Sequence, residues 1–158
     1  MQLLNAAESL DIPFELHIAG DGSLAEMVAN RALHNPRIHF HGFIPLNHLA
    51  RFFATTDAVV VPSLCYENSP TVIYESFAIG VPVIASHIGG IPELIQEGEN
   101  GWLVEPGDET ALMRALKNVA ESATTFWKKT DSIRSCSQKY SLEHYVDQLE
   151  MYMNEVVK

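Results

Sequence analysis

Apolar positions along the 158-residue chain follow two periods that take turns from one end to the other. Leu3, Leu4, Ala7 and Leu10 are spaced like one face of a helix, and Asp11-Ile12-Pro13 ends it, since proline has no amide donor to continue the ladder. Residues 14–19 then alternate and predict a strand. Gly20-Asp21-Gly22 predicts a turn. Ser23, with Glu26 three residues on, predicts a capping box opening a helix that runs to about Leu33, where Asn35-Pro36 stops it. The alternation continues with a strand over 38–41, a helix over 47–55, a strand over 58–61 and a helix over 70–79 with Pro70 at its first position. A strand over 83–86, a short helix over 92–96, a strand over 101–104 and helices from Asp108 onward complete the reading.

The short strands, such as Val59-Val60-Val61 and Val83-Ile84-Ala85, are apolar on both faces, as strands of a parallel sheet covered by helices must be. The pattern therefore predicts an α/β class: a Rossmann-like, doubly wound parallel sheet. Ligands of such sheets sit at the carboxyl ends of the strands, so the turns at 20–22, 42–44, 63–66 and 87–90 are expected to share one edge. In the tail, Leu142, Tyr145, Val146, Leu149, Tyr152, Met153 and Val156 make one face of an amphipathic helix that packs on this domain or on a neighbour.

With 47% hydrophobic residues, the length supports one domain, 1–158, with a core over about 1–120 and helices over about 121–158. A net charge of −10 opposes nucleic acid and anionic membrane surfaces as general partners, so any phosphate site must be local. Cys65 and Cys136 demand no oxidising compartment. The longest apolar run, 58–62, is too short to span a bilayer, and no basic-then-apolar signal opens the chain. A soluble, cytoplasmic protein is expected.

One segment carries chemistry. In Glu67-Asn68-Ser69-Pro70-Thr71-Val72-Ile73-Tyr74-Glu75 two carboxylates stand eight positions apart, one in a loop after a strand and one inside the next helix. Near Pro70 the first helical turn has unpaired N–H groups and a partial positive charge, so Thr71 and Val72 offer backbone donors to a phosphate. Glu75 lies one turn beyond Thr71 on the same face and suits a pair of ribose hydroxyls. Taken alone, two glutamates at this spacing are more often solvated surface acids than ligands.

That segment, followed by Ser76-Phe77-Ala78-Ile79-Gly80-Val81-Pro82-Val83-Ile84-Ala85-Ser86 and Gly89-Gly90-Ile91-Pro92-Glu93-Leu94-Ile95, resembles the retaining GT-B glycosyltransferases called group 1 or family 4. The likeness extends over roughly 1–119, through Leu16-His17-Ile18-Ala19-Gly20-Asp21-Gly22, His41-Gly42-Phe43-Ile44 and Asn100-Gly101-Trp102-Leu103-Val104. It implies the carboxyl-terminal, nucleotide-sugar-binding half of a GT-B fold. The donor would be a UDP- or GDP-sugar, with no metal and no cofactor. Glu67 would be the catalytic carboxylate at the donor-sugar hydroxyls. Asn68, Ser69, Pro70, Thr71 and Val72 would hold hydroxyls and diphosphate, and Glu75 the ribose. Phe43 and Ile44 would flank the base, and the Gly20 and Gly22 turn would line the same donor site. The resemblance implies transfer of a hexose with retained configuration, in polysaccharide or glycoconjugate assembly. The alternative is a non-catalytic binding module acting with a separate acceptor domain.

The sequence departs from that family in lacking a strand with Gly-Arg and a Lys-Gly pair ahead of Leu3-Leu4. The missing strand is expected at the centre of the sheet, so the others must close a gap, borrow a strand or keep an open edge. The amino-terminal acceptor domain is also expected to be absent, with membrane association only through it, self-association a consequence, and the fragment inactive alone.

Other signals weigh less. Gly20-Asp21-Gly22-Ser23-Leu24-Ala25 fits a dinucleotide fingerprint, but the next strand ends without an acid for a ribose, against NAD. His39 and His41 share a strand face, yet no third ligand has sensible spacing. Cys65 has no neighbouring histidine to activate it.

Overall fold

The computed structural model describes residues 1–126 and 129–156. Helix α1 (Gln2–Glu8) leads to strand β1 (Leu16–Ala19), helix α2 (Ala25–His34), strand β2 (Ile38–Gly42) and helix α3 (Leu46–Phe53). Strand β3 (Val59–Val61), helix α4 (Thr71–Ile79), strand β4 (Val83–Ser86), a 3-10 turn at Ile91–Glu93 and strand β5 (Gly101–Val104) follow. Helices α5 (Glu109–Phe126), α6 (Thr130–Gln138) and α7 (Leu142–Val156) close the chain.

Every predicted element is present in the predicted order, with two local corrections. Ser23 caps nothing: α2 begins at Ala25 with Leu24 at its N-cap and no side-chain cap, because a tight turn, Ala25 N–H to Gly22 O at 3.0 Å, carries the chain past Ser23 before the helix starts. Pro70 is the N-cap of α4 rather than its first helical residue, held extended at ψ 119°.

The strands are all parallel but do not form the one continuous sheet expected of a doubly wound domain. β1 pairs with β2, placing Leu16 opposite Ile38 and His17 opposite His39, while β3, β4 and β5 pair in that order. A parallel strand sends alternate residues' backbone groups to opposite sides. Leu16 and Gly20 donate to Arg37 and Gly42, and Val59 to Pro82, so the backbone of His17 and Ala19 on β1 and of Val60 on β3 faces away from the paired neighbour. Among the described residues, β1 and β3 each keep an edge with no paired strand.

Helix α1 holds the halves together. Its Ala6 packs with Ile84, Val104, Leu112 and Ala115 of the three-stranded half, and Gln2 Nε2 donates to Pro62 O at 2.9 Å beyond β3. From the other half, Arg31 reaches Asn5 Oδ1 at 2.9 Å and pairs with Glu8, and Arg37 Nη1 donates to Leu10 O at 2.9 Å. The main core lies under β3 and β4, where Ile73, Phe77, Val83, Ala85, Ile91 and Ile133 are fully buried. Buried Asn100 satisfies both its amide atoms, accepting from Gln96 N at 2.7 Å and donating to Leu94 O at 3.1 Å, and so shapes the turn into β5.

Across β1 and β2 three imidazoles stack, His17 between His39 and His41, with Phe52 edge-on to His17 and His41. Burial, then the neighbouring His17 and His39, hold the His41 imidazole below its usual pKa. At the far end of the chain α7 buries none of its residues. Among the described residues no helix is long and apolar enough to cross a membrane.

Candidate functional site

The loop from β3 to α4 is positioned by contacts that reach across the chain. Ser63 Oγ donates to Glu67 Oε1 at 2.5 Å, and Gly90 N–H donates to Glu67 O at 2.9 Å. The turn after β4 lies so close against this loop that a Cβ at Gly89 would stand 2.3 Å from Glu67 O, and one at Gly90 2.1 Å from Asn68 O. Neither position admits a side chain without moving the loop, and Gly89 also has φ +61°. The Gly-Gly pair is therefore a packing surface that fixes where Glu67 and Asn68 sit.

Beyond the loop, buried Pro70 turns the chain into α4 with no side-chain cap. Ile73 N–H bonds back to Pro70 O at 3.1 Å. The N–H groups of Thr71 and Val72 precede the first possible intrahelical acceptor, so they remain open to an anion. Thr71 is exposed and Val72 half-buried. Glu75, one turn further in, is half-buried and makes no hydrogen bond or ion pair among the described residues. Ser69 is different: its hydroxyl is bonded to Tyr74 Oη, which leaves its backbone for a ligand.

The remaining predicted residues gather at the end of the other sheet. Gly20 N–H donates to Gly42 O at 2.8 Å, which brings the 20–22 turn beside Phe43 and Ile44. Gly20 and Gly22 have φ of +139° and +146°, a region open to glycine alone, and a Cβ at either would meet nothing within 4 Å, so the space above the turn is free. Phe43 is 76% exposed, a large apolar ring with nothing over it. Both groups occupy carboxyl ends of strands, and among the described residues no hydrogen bond links one to the other. Two concavities, of about 760 and 710 Å³, are present: one beside Glu8, Met27 and Arg31, the other running from Ser69 and Tyr74 at the edge of the 67–75 segment along Tyr145, Leu149 and Tyr152.

Sequence reasoning missed Ser63 and the role of Gly89 and Gly90. Ser63 carries a signal only in hindsight, four residues before Glu67. The glycines were visible as a motif, but the backbone they meet lies more than twenty residues earlier.

Residues 1–122 match the model of the family described as glycosyl transferases group 1. Among curated relatives, the amylovoran biosynthesis glycosyltransferase AmsK of Erwinia amylovora is 35% identical over 85 residues, covering 51% of this chain and 21% of its own length. The sulfoquinovosyl transferase SQD2 of Arabidopsis thaliana is 31% identical over 124 residues, covering 77% of this chain and 24% of its own. Among solved structures, sucrose-phosphate synthase of Thermosynechococcus elongatus aligns over 99% of this chain and 41% of its own, with a TM-score of 0.83 at 24% identity. Anabaena HepE in complex with UDP-glucose aligns over 98% of this chain and 44% of its own, with a TM-score of 0.82 at 22% identity. These structures share the fold, the carboxyl-terminal Rossmann-like half of a GT-B enzyme. The chain spans about a quarter or less of the length of those two curated relatives.

Proposed function

We propose, proceeding from the fact that this chain belongs to the group 1 glycosyltransferases, that it is the donor-binding part of an enzyme transferring a hexose from a nucleoside diphosphate sugar. The observation that carries this reading is the uncapped first turn of α4, opening beside the anchored Glu67 loop with Glu75 unengaged one turn in. In the reading, the diphosphate lies on the N–H groups of Thr71 and Val72, where aligned peptide dipoles favour an anion. Glu75 accepts the two ribose hydroxyls. Glu67 accepts from the donor sugar, and the base rests against Phe43 and Ile44 by the Gly20 and Gly22 turn. A UDP- or GDP-sugar fits this set, and a structural neighbour of the same fold is described in complex with UDP-glucose.

Transfer with retained configuration, a cytoplasmic setting and a role in polysaccharide or glycoconjugate assembly complete the proposal, with no metal needed for donor binding. The acceptor side belongs to a further domain, and one more parallel strand between β1 and β3 would satisfy both open edges. A second reading, a binding module that leaves catalysis to residues outside it, has one observation in its favour. The segments 20–22, 43–44, 67–75 and 87–93 contain no lysine or arginine, so no fixed cation within them meets the charge that develops on a departing diphosphate.

The test is thermal unfolding with UDP-, GDP- and ADP-sugars, on the chain and on Glu75→Ala. Ligand at a hundredfold its Kd adds about 2.7 kcal/mol, which for a domain of this size raises Tm by roughly 5–10 °C. A rise with one base, lost in Glu75→Ala, is expected. A rise that survives in Glu75→Ala would remove Glu75 from the site, and no rise in this chain or in a longer one carrying the acceptor domain would end the donor reading.

A further inference from the structure

The histidine stack on β1 and β2 is used by nothing described so far. We propose that Glu15, His17 and His39 form a site for a divalent transition-metal ion of the zinc class, with His41 as the group that orients His17. The side-chain ligand atoms of these three residues already lie within 4.8 Å of one another. Glu15 Oε2 and His17 Nε2 are 3.3 Å apart, close to the separation of about 3.4 Å that two ligands have around a four-coordinate ion with bonds near 2.1 Å. His39 stands directly across from His17 in the β1–β2 register, with ring centroids 4.7 Å apart.

Two observations point to an ion rather than to a stack of surface rings. His39 Nε2 is buried and has no hydrogen-bond partner among the described residues. A buried polar nitrogen left unpaired is costly, and a cation accepting its lone pair removes that cost. Moreover, His17 Nδ1 lies 2.9 Å from His41 Nε2. Metal-bound histidines donate their other ring N–H to an acceptor, commonly a carboxylate, a backbone carbonyl or water, which fixes tautomer and ring orientation, and the His41 nitrogen stands in that acceptor's place. With an ion on Nε2, the His17 proton sits on Nδ1 and is donated to His41.

Two imidazoles and one carboxylate are a borderline-soft donor set that suits zinc and leaves a position for water. The site lies toward the amino end of β1, opposite the Gly20 turn, so its role is to join the strands. A two-stranded sheet is marginal by itself, and among the described residues β1 and β2 pair only with each other.

The experiment titrates the 158-residue chain with Zn²⁺ alone by calorimetry and with Co²⁺ by visible absorption, on the parent, on Glu15→Gln and on Cys65→Ser with Cys136→Ser. Glu15 is exposed, so its substitution removes a ligand without disturbing the core. One saturable equivalent is expected, with the Co²⁺ ligand-field band. Glu15→Gln should weaken binding about tenfold or more, and the cysteine variant should match the parent. The absence of saturable one-to-one binding, equal affinity in Glu15→Gln, or loss of binding in the cysteine variant would each overturn the assignment.

Discussion

Glu67 shows how a single residue acquires a position. Its carboxylate is held by Ser63 and its carbonyl by the N–H of Gly90, so the side chain is oriented before any ligand arrives. The prediction at this scale concerns the glycine. A methyl at Gly90 would fall 2.1 Å from Asn68 O, and the loop, being backbone, must give way. Gly90→Ala should cost roughly 1–3 kcal/mol in urea unfolding, and donor affinity should fall further than in an equally destabilised variant remote from the loop. Equal losses in both would mean that the glycine serves packing alone. A second prediction concerns Glu8, whose pKa is lowered chiefly by its hydrogen bond to Arg31. Because its folded value lies below the unfolded one, the pair stabilises the fold at neutral pH, and that contribution fades as pH falls below 4.5 through the folded value. Both side chains are partly exposed, so the effect is screened and small. Glu8→Gln should be slightly less stable than the parent at pH 7, and the difference should shrink as pH falls through the folded value. The roles proposed for Glu67 and Glu75 come only from the family resemblance, since two glutamates at this spacing have no meaning without the loop and helix that carry them.

Among elements, α4 and α7 are opposites. α4 buries Ile73, Ser76 and Phe77 and is packed by α6, the kind of support that the proposed anion site on its backbone N–H groups requires. α7 has an apolar face yet leaves Leu142 78% and Val156 85% exposed. Its periodicity was plain in the sequence. Whether that face would find a partner was not, because a helical repeat specifies a face and not its cover. Ending the chain after Ser141 should therefore move Tm by no more than a degree or two, while lowering binding of a hydrophobic dye such as ANS. A large fall in Tm would show that α7 contributes to the fold through contacts this structure lacks.

At the scale of the molecule the dominant fact is the divided sheet, bridged by α1. The paired and unpaired backbone groups make a sharp prediction for amide hydrogen exchange. Along β1, Leu16, Ile18 and Gly20 should exchange slowly and His17 and Ala19 fast; along β3, Val59 and Val61 should be slow and Val60 fast. Protection of His17, Ala19 and Val60 that rises with protein concentration would mean that a second copy fills the gap. Uniform protection in dilute solution would mean that β1 and β3 close on each other. The sequence by itself determined the order and type of the elements, the parallel class and the open first turn of α4, since the 3.6 and 2.0 periods, prolines and missing caps act over a few neighbouring residues. It did not determine that His17 would lie across from His39, or that Gly89 and Gly90 would press on the Glu67 loop. Register and close approach arise between segments more than twenty residues apart, and only their joint packing fixes which atoms meet.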